Sequence, residues 1–207
     1  MISLQIGECK VDILPVVSGL VSEADKVDAA FGKYEAYGIS LGIEGVEAVR
    51  RRTEIPDENY EISDIDIVYA ERMSYFGEMQ VPSPAFCRIV DLCTERNAPL
   101  VPLDMKDEDF DTAYMDCVSA IQFTNQHRLA KKGMKANLDM SSPEAMAKSW
   151  DSFIAGHNKG LHKLDLLREV YIAGELTDTA KYRKSLLAVI ECERVDGIVE
   201  NLRNGQR

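Results

Sequence analysis

Apolar residues recur along this chain with two periods. Near the start, Ile2, Leu4 and Ile6 alternate with Ser3 and Gln5, the period-two signature of a strand with one buried face. Near the end, Leu186 to Ile190 form an unbroken apolar run, which predicts a strand buried on both faces. Between them, Val11–Val17 reads as a second extended segment, with Pro15 confining it to an edge or an irregular position. A helix then starts at Ser22, with Asp25 three residues on as a capping pair. Ala24, Val27, Ala30, Phe31 and Tyr34 keep helical spacing until Gly38. Ile39–Glu44 reads as the next strand, and Val46–Arg52 as a helix.

From Pro56 to Asn97 the pattern predicts loop, helix, loop, helix. Ser63 and Asp66 cap a helix whose face carries Ile62, Ile65, Tyr69, Met73 and Phe76, stopped by Gly77. Pro84 suits the first turn of the next helix, with Phe86, Ile89, Val90 and Cys93 as its stripe and Asn97 as its end. Leu100–Asp104 is a short strand. From Asp107 to Arg183 the spacing is almost wholly helical, with stripes Phe110-Tyr114-Cys117-Ile121, Met146-Trp150-Phe153-Ile154 and Leu161-Leu164-Leu167-Tyr171. Lys131–Lys135 is the expected exposed turn. The predicted fold is one α/β domain over residues 1–207. It has a mainly parallel central sheet, flanking helices and a large helical insertion, about 106–184, before the last strand.

Four segments with strand character close on a carboxylate: Glu8, Glu44, Asp104 and Glu191. In open α/β sheets ligands sit at the carboxyl ends of strands, so these four are expected at one sheet edge. The last strand breaks into Glu191, Cys192, Glu193 and Arg194, and the first is followed by Glu8, Cys9 and Lys10. Each end of the chain thus offers a Glu-Cys pair beside a basic residue. Arg50, in an arginine triplet, suits bidentate contact with an oxyanion, although a solvated helical run is the plainer reading. Arg168 is placed to reach back beneath the helical insertion.

The formal net charge of −11 and the pI near 4.8 set the whole-surface potential against nucleic acid and anionic membranes. Homo-oligomers stay open. No run approaches the roughly 18 apolar residues of a membrane span. Neither a secretory signal nor a disulfide framework is visible in the five cysteines, so a reduced, cytoplasmic chain is expected. Cys87, Cys93 and Cys117 fall on amphipathic helices and read as buried thiols. His127, His157 and His162 lie away from strand ends, so no metal centre and no cofactor are expected. Nucleophile-elbow, phosphate-loop and dinucleotide motifs are absent.

In order along the chain, these motifs resemble the TraB family. Its superfamily includes the Tiki proteases, the haem-binding ChaN proteins and the erythromycin esterases. The family's first strand ends in Gly-x-x-His, which aligns with Gly7-Glu8-Cys9-Lys10. Its last, Gly-x-Gly-His-x-x-Gly-Ile, aligns with Glu191 to Ile198. Its Glu-Leu-x-x-x-Arg resembles Glu44 to Arg50 with one extra residue, its Leu-Ile-Asp resembles Pro102-Leu103-Asp104, and its Glu-Arg-Asp resembles Leu167-Arg168-Glu169. The resemblance implies a hydrolase of the Tiki type. Here, however, Lys10 and Arg194 stand where the family has histidines, and a guanidinium neither binds metal nor shuttles protons. The expected function is therefore non-enzymatic binding of a small anion or a partner, at a site of Glu8, Lys10, Glu44, Arg50, Asp104, Arg168, Glu191 and Arg194. The alternative is a metal-independent hydrolase, with a strand-end carboxylate as general base and Lys10 and Arg194 stabilising an oxyanion.

Overall fold

The structure is a computed structural model that describes residues 1–54 and 62–205. The start of the loop expected from Pro56 lies outside the described residues. Among those residues five strands form one sheet: β1 (Ile2–Ile6), β2 (Cys9–Val16), β3 (Ala36–Ile39), β4 (Leu100–Pro102) and β5 (Ser185–Glu191). Their order is β1-β2-β5-β3-β4. β1 and β2 form a hairpin that turns through Gly7 at φ +56°, and the other three pairings are parallel. The mainly parallel α/β fold is therefore the one present.

β2 is an interior strand, and Pro15, read as fit for an edge or an irregular position, lies in it just beyond the part paired with β1. The reason lies in the register. Lys10 N donates to Lys184 O, and Val16 O accepts from Cys192 N, so the even positions of β2 bond to β5. By alternation Pro15 presents its nitrogen towards β1. That strand has already ended, since Ile2 pairs with Ile13. A missing N–H costs nothing where no acceptor faces it.

β5 lies between two cores, as its unbroken apolar run requires. Leu187 and Val189 pack on one face with the helices α1 (Glu23–Ala30), α2 (Ile43–Arg50) and α4 (Pro84–Glu95). Leu186, Ala188 and Ile190 pack on the other with α9 (Lys159–Ala180) and α10 (Val195–Gly205). Burying each leucine or isoleucine of this strand contributes roughly 1.5–3 kcal/mol relative to exposure. A third cluster caps the carboxyl edge of the sheet. It joins Val17, Leu20 and Cys192 to α3 (Asp64–Met73), α7 (Gln126–Gly133) and α8 (Pro143–His157) through Val68, Met73, Leu129, Met146 and Trp150. The helical segment before β5 also holds α5 (Asp107–Cys117), packed on α9, and the short α6 (Ala120–Thr124). That segment is not wholly a cap. The later turns of α9, through Ile172, Leu176 and Ala180, belong to a sheet-facing core, whereas α3, from earlier in the chain, helps to build the cap.

The third strand runs over Ala36–Ile39, earlier than expected, and α1 stops at Ala30. Gly38 is inside β3 and not a stop. A Cβ there would lie 2.6 Å from Leu103 Cδ1, so glycine admits close packing. Gly42 precedes α2, and a Cβ on it would lie 2.2 Å from the Met105 carbonyl oxygen. Ser22 makes no side-chain cap, so that expected capping pair does not form, whereas Asp66 N does donate to Ser63 Oγ at 3.2 Å. Asn97, at φ +50°, ends the α4 region as expected.

These contacts give a paired prediction. Gly42→Ala forces a carbon onto backbone and should lower the unfolding free energy by about 1–3 kcal/mol. Gly45→Ala, inside α2 with nothing nearer than 3.4 Å, should be neutral or raise it by up to about 1 kcal/mol. Urea unfolding of both variants checks the contrast, and equal effects would refute it.

Candidate functional site

The loops leaving adjacent strands β2 and β5 diverge. β2 leads to α1 on one face of the sheet, and β5 leads to α10 on the other. Strands whose exits part in this way open a crevice between their carboxyl ends, where ligands of open α/β sheets bind. A pocket of about 270 Å³ lies there. Ser18 after β2, Glu191 at the end of β5, and Glu193 and Arg194 after it form its floor. Tyr69 of α3, Trp150 and Asp151 of α8, and Asp165 of α9 close it from the cap.

Each group is held by its own element. Cys192 N donates to Val16 O and Arg194 N to Glu191 O, at 2.8 and 3.1 Å. These bonds fold residues 191–194 into a tight turn against β2. Ile198 N then donates to Arg194 O, which places Arg194 at the start of α10. Ser40, fully buried beyond β3, donates from Oγ to Glu191 Oε2. Glu23 is buried at the head of α1, accepting from Val17 N at 3.1 Å and pairing with Lys26 at 2.8 Å. That contact fixes the backbone just before Ser18.

The electrostatics of the pocket are lopsided. Arg194 keeps only 12% of its side-chain surface exposed and lies 2.8 Å from Asp165 through Nη1. The atoms are near enough for strong attraction, yet not aligned for a hydrogen bond: neither Nη1 nor Nε of Arg194 has a hydrogen-bond partner. Burial opposes the guanidinium charge, but Asp165, Glu191 and Glu193 outweigh it and hold its pKa above the ordinary value. Burial pushes Glu193 up to about 7, with Glu191 adding to the rise. Glu169, one turn along α9 from Asp165, is likewise raised by burial to about 7, against the pull of Arg194. Asp151 is raised by burial and then by Asp165. The Tyr69 hydroxyl is buried without a partner, and burial followed by Glu193 drives its pKa up. Among the described residues, the buried side-chain polar atoms that lack a hydrogen bond all belong to Tyr69 and Arg194. Both line this pocket.

The eight expected site residues are not brought together. Glu8 lies in the β1–β2 turn and Lys10 near the start of β2, where it pairs with Ser185 at the start of β5. Glu191 pairs with Val16 at the other end of the same strands. An antiparallel first strand delivers its carboxyl end to the opposite edge of the sheet, and this corrects the expectation of one common edge. Lys10 bonds Asp12 at 2.8 Å, in a network with Ser3 and Tyr34, so it cannot join Arg194 around an oxyanion. Glu44 is not a strand end either. It sits in the first turn of α2 and accepts from Asp107 N, the first residue of α5, at 3.2 Å. Arg50 pairs with Glu47 at the exposed end of α2. Arg168 does reach back beneath α9, but to Asp104 (Nε to Oδ2, 2.9 Å), as a separate ion pair beside Phe110. Only Glu191 and Arg194 line the pocket.

Tyr69 and Trp150 passed as stripe residues, since an aromatic at helical spacing reads as core until a pocket is seen beside it. Asp165 carries no sequence signal. Cys93 is buried as expected, whereas Cys87 and Cys117 are only half-buried. Among the described residues no group of three or more His, Cys, Asp or Glu is arranged to hold a metal ion, and no helix is long and apolar enough to cross a membrane. The chain matches no family model, no curated protein and no solved structure, so this site is read from its own geometry.

Proposed function

We propose that the protein binds a small oxygen-bearing molecule in the pocket between the carboxyl ends of β2 and β5. One observation carries the reading: the Tyr69 hydroxyl is buried there with no hydrogen-bond partner, and two nitrogens of Arg194, although beside Asp165, make no aligned hydrogen bond. A buried donor left unmade costs about 1–3 kcal/mol, more when charged, and a carboxylate, phosphate or carbonyl oxygen would relieve that cost. Those atoms have almost no exposure, so an acceptor reaches them as neighbouring cap side chains turn aside. The volume lies just below the roughly 300–1,000 Å³ range of drug-sized ligands, which fits a metabolite of amino-acid or monosaccharide size. The site differs from the expected one around both Lys10 and Arg194, because Arg194 acts without Lys10.

Tyr69→Phe tests the reading without breaking the fold. It removes a hydroxyl that has no partner, so stability should hold or rise by about 1 kcal/mol. Thermal unfolding with small carboxylates, phosphates and amino acids should show a ligand-dependent rise in Tm for wild type, lost in Tyr69→Phe. A wild type indifferent to the whole panel, or a variant responding equally, would overturn the proposal.

A further inference from the structure

The pocket wall narrows the class of ligand, an inference that rests on the binding reading above. Its one cation, Arg194, shares the lining with the carboxyl groups of Asp66, Asp151, Asp165, Glu191 and Glu193. A simple anion would find two donor groups but would enter a surplus of negative charge. A simple amine would find the acids but leave Tyr69 and Arg194 unpaired. Between them stands an apolar wall of Ile65, Trp150, Ile154 and Leu161. Tyr69 and Trp150 are neighbours with ring centroids 6.2 Å apart, and an aromatic face favours a nearby cation.

We infer that the ligand is an aminocarboxylate of amino-acid size with an apolar side chain. Its carboxylate takes the donors of Tyr69 and Arg194, its ammonium lies among the acidic side chains, and its hydrocarbon meets the apolar wall. Such a molecule adds no net charge to a crowded site, and it supplies an acceptor and a donor where each is wanting. Burial raises Asp151 and Glu193, with Asp165 and Glu191 adding to the rise against the pull of Arg194, and a bound ammonium would oppose it.

The test uses matched triplets on the full chain: leucine with 3-methylbutylamine and 4-methylpentanoate, and methionine, valine and phenylalanine with their own decarboxylated and deaminated partners. Titration calorimetry and thermal unfolding are read for wild type, Tyr69→Phe and Asp151→Asn. At least one amino acid should bind wild type, raising Tm by several degrees at roughly 10 mM. Its amine and its acid should each bind at least about tenfold more weakly. Tyr69→Phe should weaken the amino acid and the acid but leave the amine unchanged. Asp151→Asn should weaken the amino acid and the amine but leave the acid unchanged or bound more tightly, since one opposing charge is gone. An acid that binds as tightly as its amino acid, with sensitivity to Tyr69→Phe, would overturn the aminocarboxylate assignment and keep the binding site. Failure of every triplet member to bind wild type would overturn the assignment. If phosphates and sugars failed too, the site reading would fall with it.

Discussion

Arg194→Met is expected to lower the unfolding free energy by about 3–5 kcal/mol near pH 8, because it removes the principal cation from a buried group of acids. Asp165 is 21% exposed and 2.8 Å from the guanidinium. Glu191 at the end of β5 and Glu193 in the turn after it act on Arg194, as do Glu169 and Asp151 from the helices above. Methionine keeps much of the volume and the apolar stem, so packing loss is kept small. What remains is a set of largely buried carboxylates repelling one another with little water between them. The penalty should shrink in acid, because protons can then neutralise the groups that Arg194 had offset. Urea unfolding near pH 8 and again near pH 5.5 measures both parts. A loss below about 1 kcal/mol near pH 8, or an equal loss at both pH values, would show that the carboxylates do not depend on Arg194.

The sheet was legible in the sequence because strand burial writes itself into composition. Leu186–Ile190 has apolar residues on both sides of the pleat, and the structure gives each side its own core. The alternation of Ile2, Leu4 and Ile6 likewise marks a strand with its other face turned outward. Direction was not legible. Nothing in Gly7-Glu8 tells a hairpin from the start of a crossover, yet that choice decides the edge on which Glu8 and Lys10 fall. The carboxyl-end rule was sound for β5, a parallel strand, and misapplied to β1, an antiparallel one. Glu44 failed for a different reason. Gly38 reads as punctuation but serves close packing against Leu103, which moved the strand forward and left Glu44 on a helix. The site itself was half visible. The charge cluster after β5 stood out, whereas Tyr69, Trp150 and Asp165 reach the same pocket from helices distant in sequence, and only folding states that adjacency.

Glu193→Gln should raise the unfolding free energy near pH 8 by up to about 3 kcal/mol and leave it nearly unchanged near pH 4. Burial, aided by Glu191, lifts this carboxyl from an ordinary 4.5 to about 7. At about 1.4 kcal/mol per unit of pKa, that rise corresponds to roughly 3 kcal/mol between the protonated and ionised folded states. The sign follows from the direction. A carboxyl whose folded pKa is raised takes its proton more readily in the folded chain than in the unfolded one. Its stabilising contribution is therefore complete below about pH 4.5 and lost as the pH climbs through about 7. Glutamine mimics the protonated form at every pH, so the variant should keep what wild type loses. Glu169, also held at about 7 but only half-buried, should leave the variant a shallower slope of the same sign, discounted by solvent. Unfolding free energies from urea titrations at half-unit steps between about pH 4 and pH 8 would trace both curves. Parallel curves for wild type and variant would show that Glu193 ionises in the folded protein as it does in the unfolded chain. The negative charge crowding Arg194 would then be less than the turn after β5 implies.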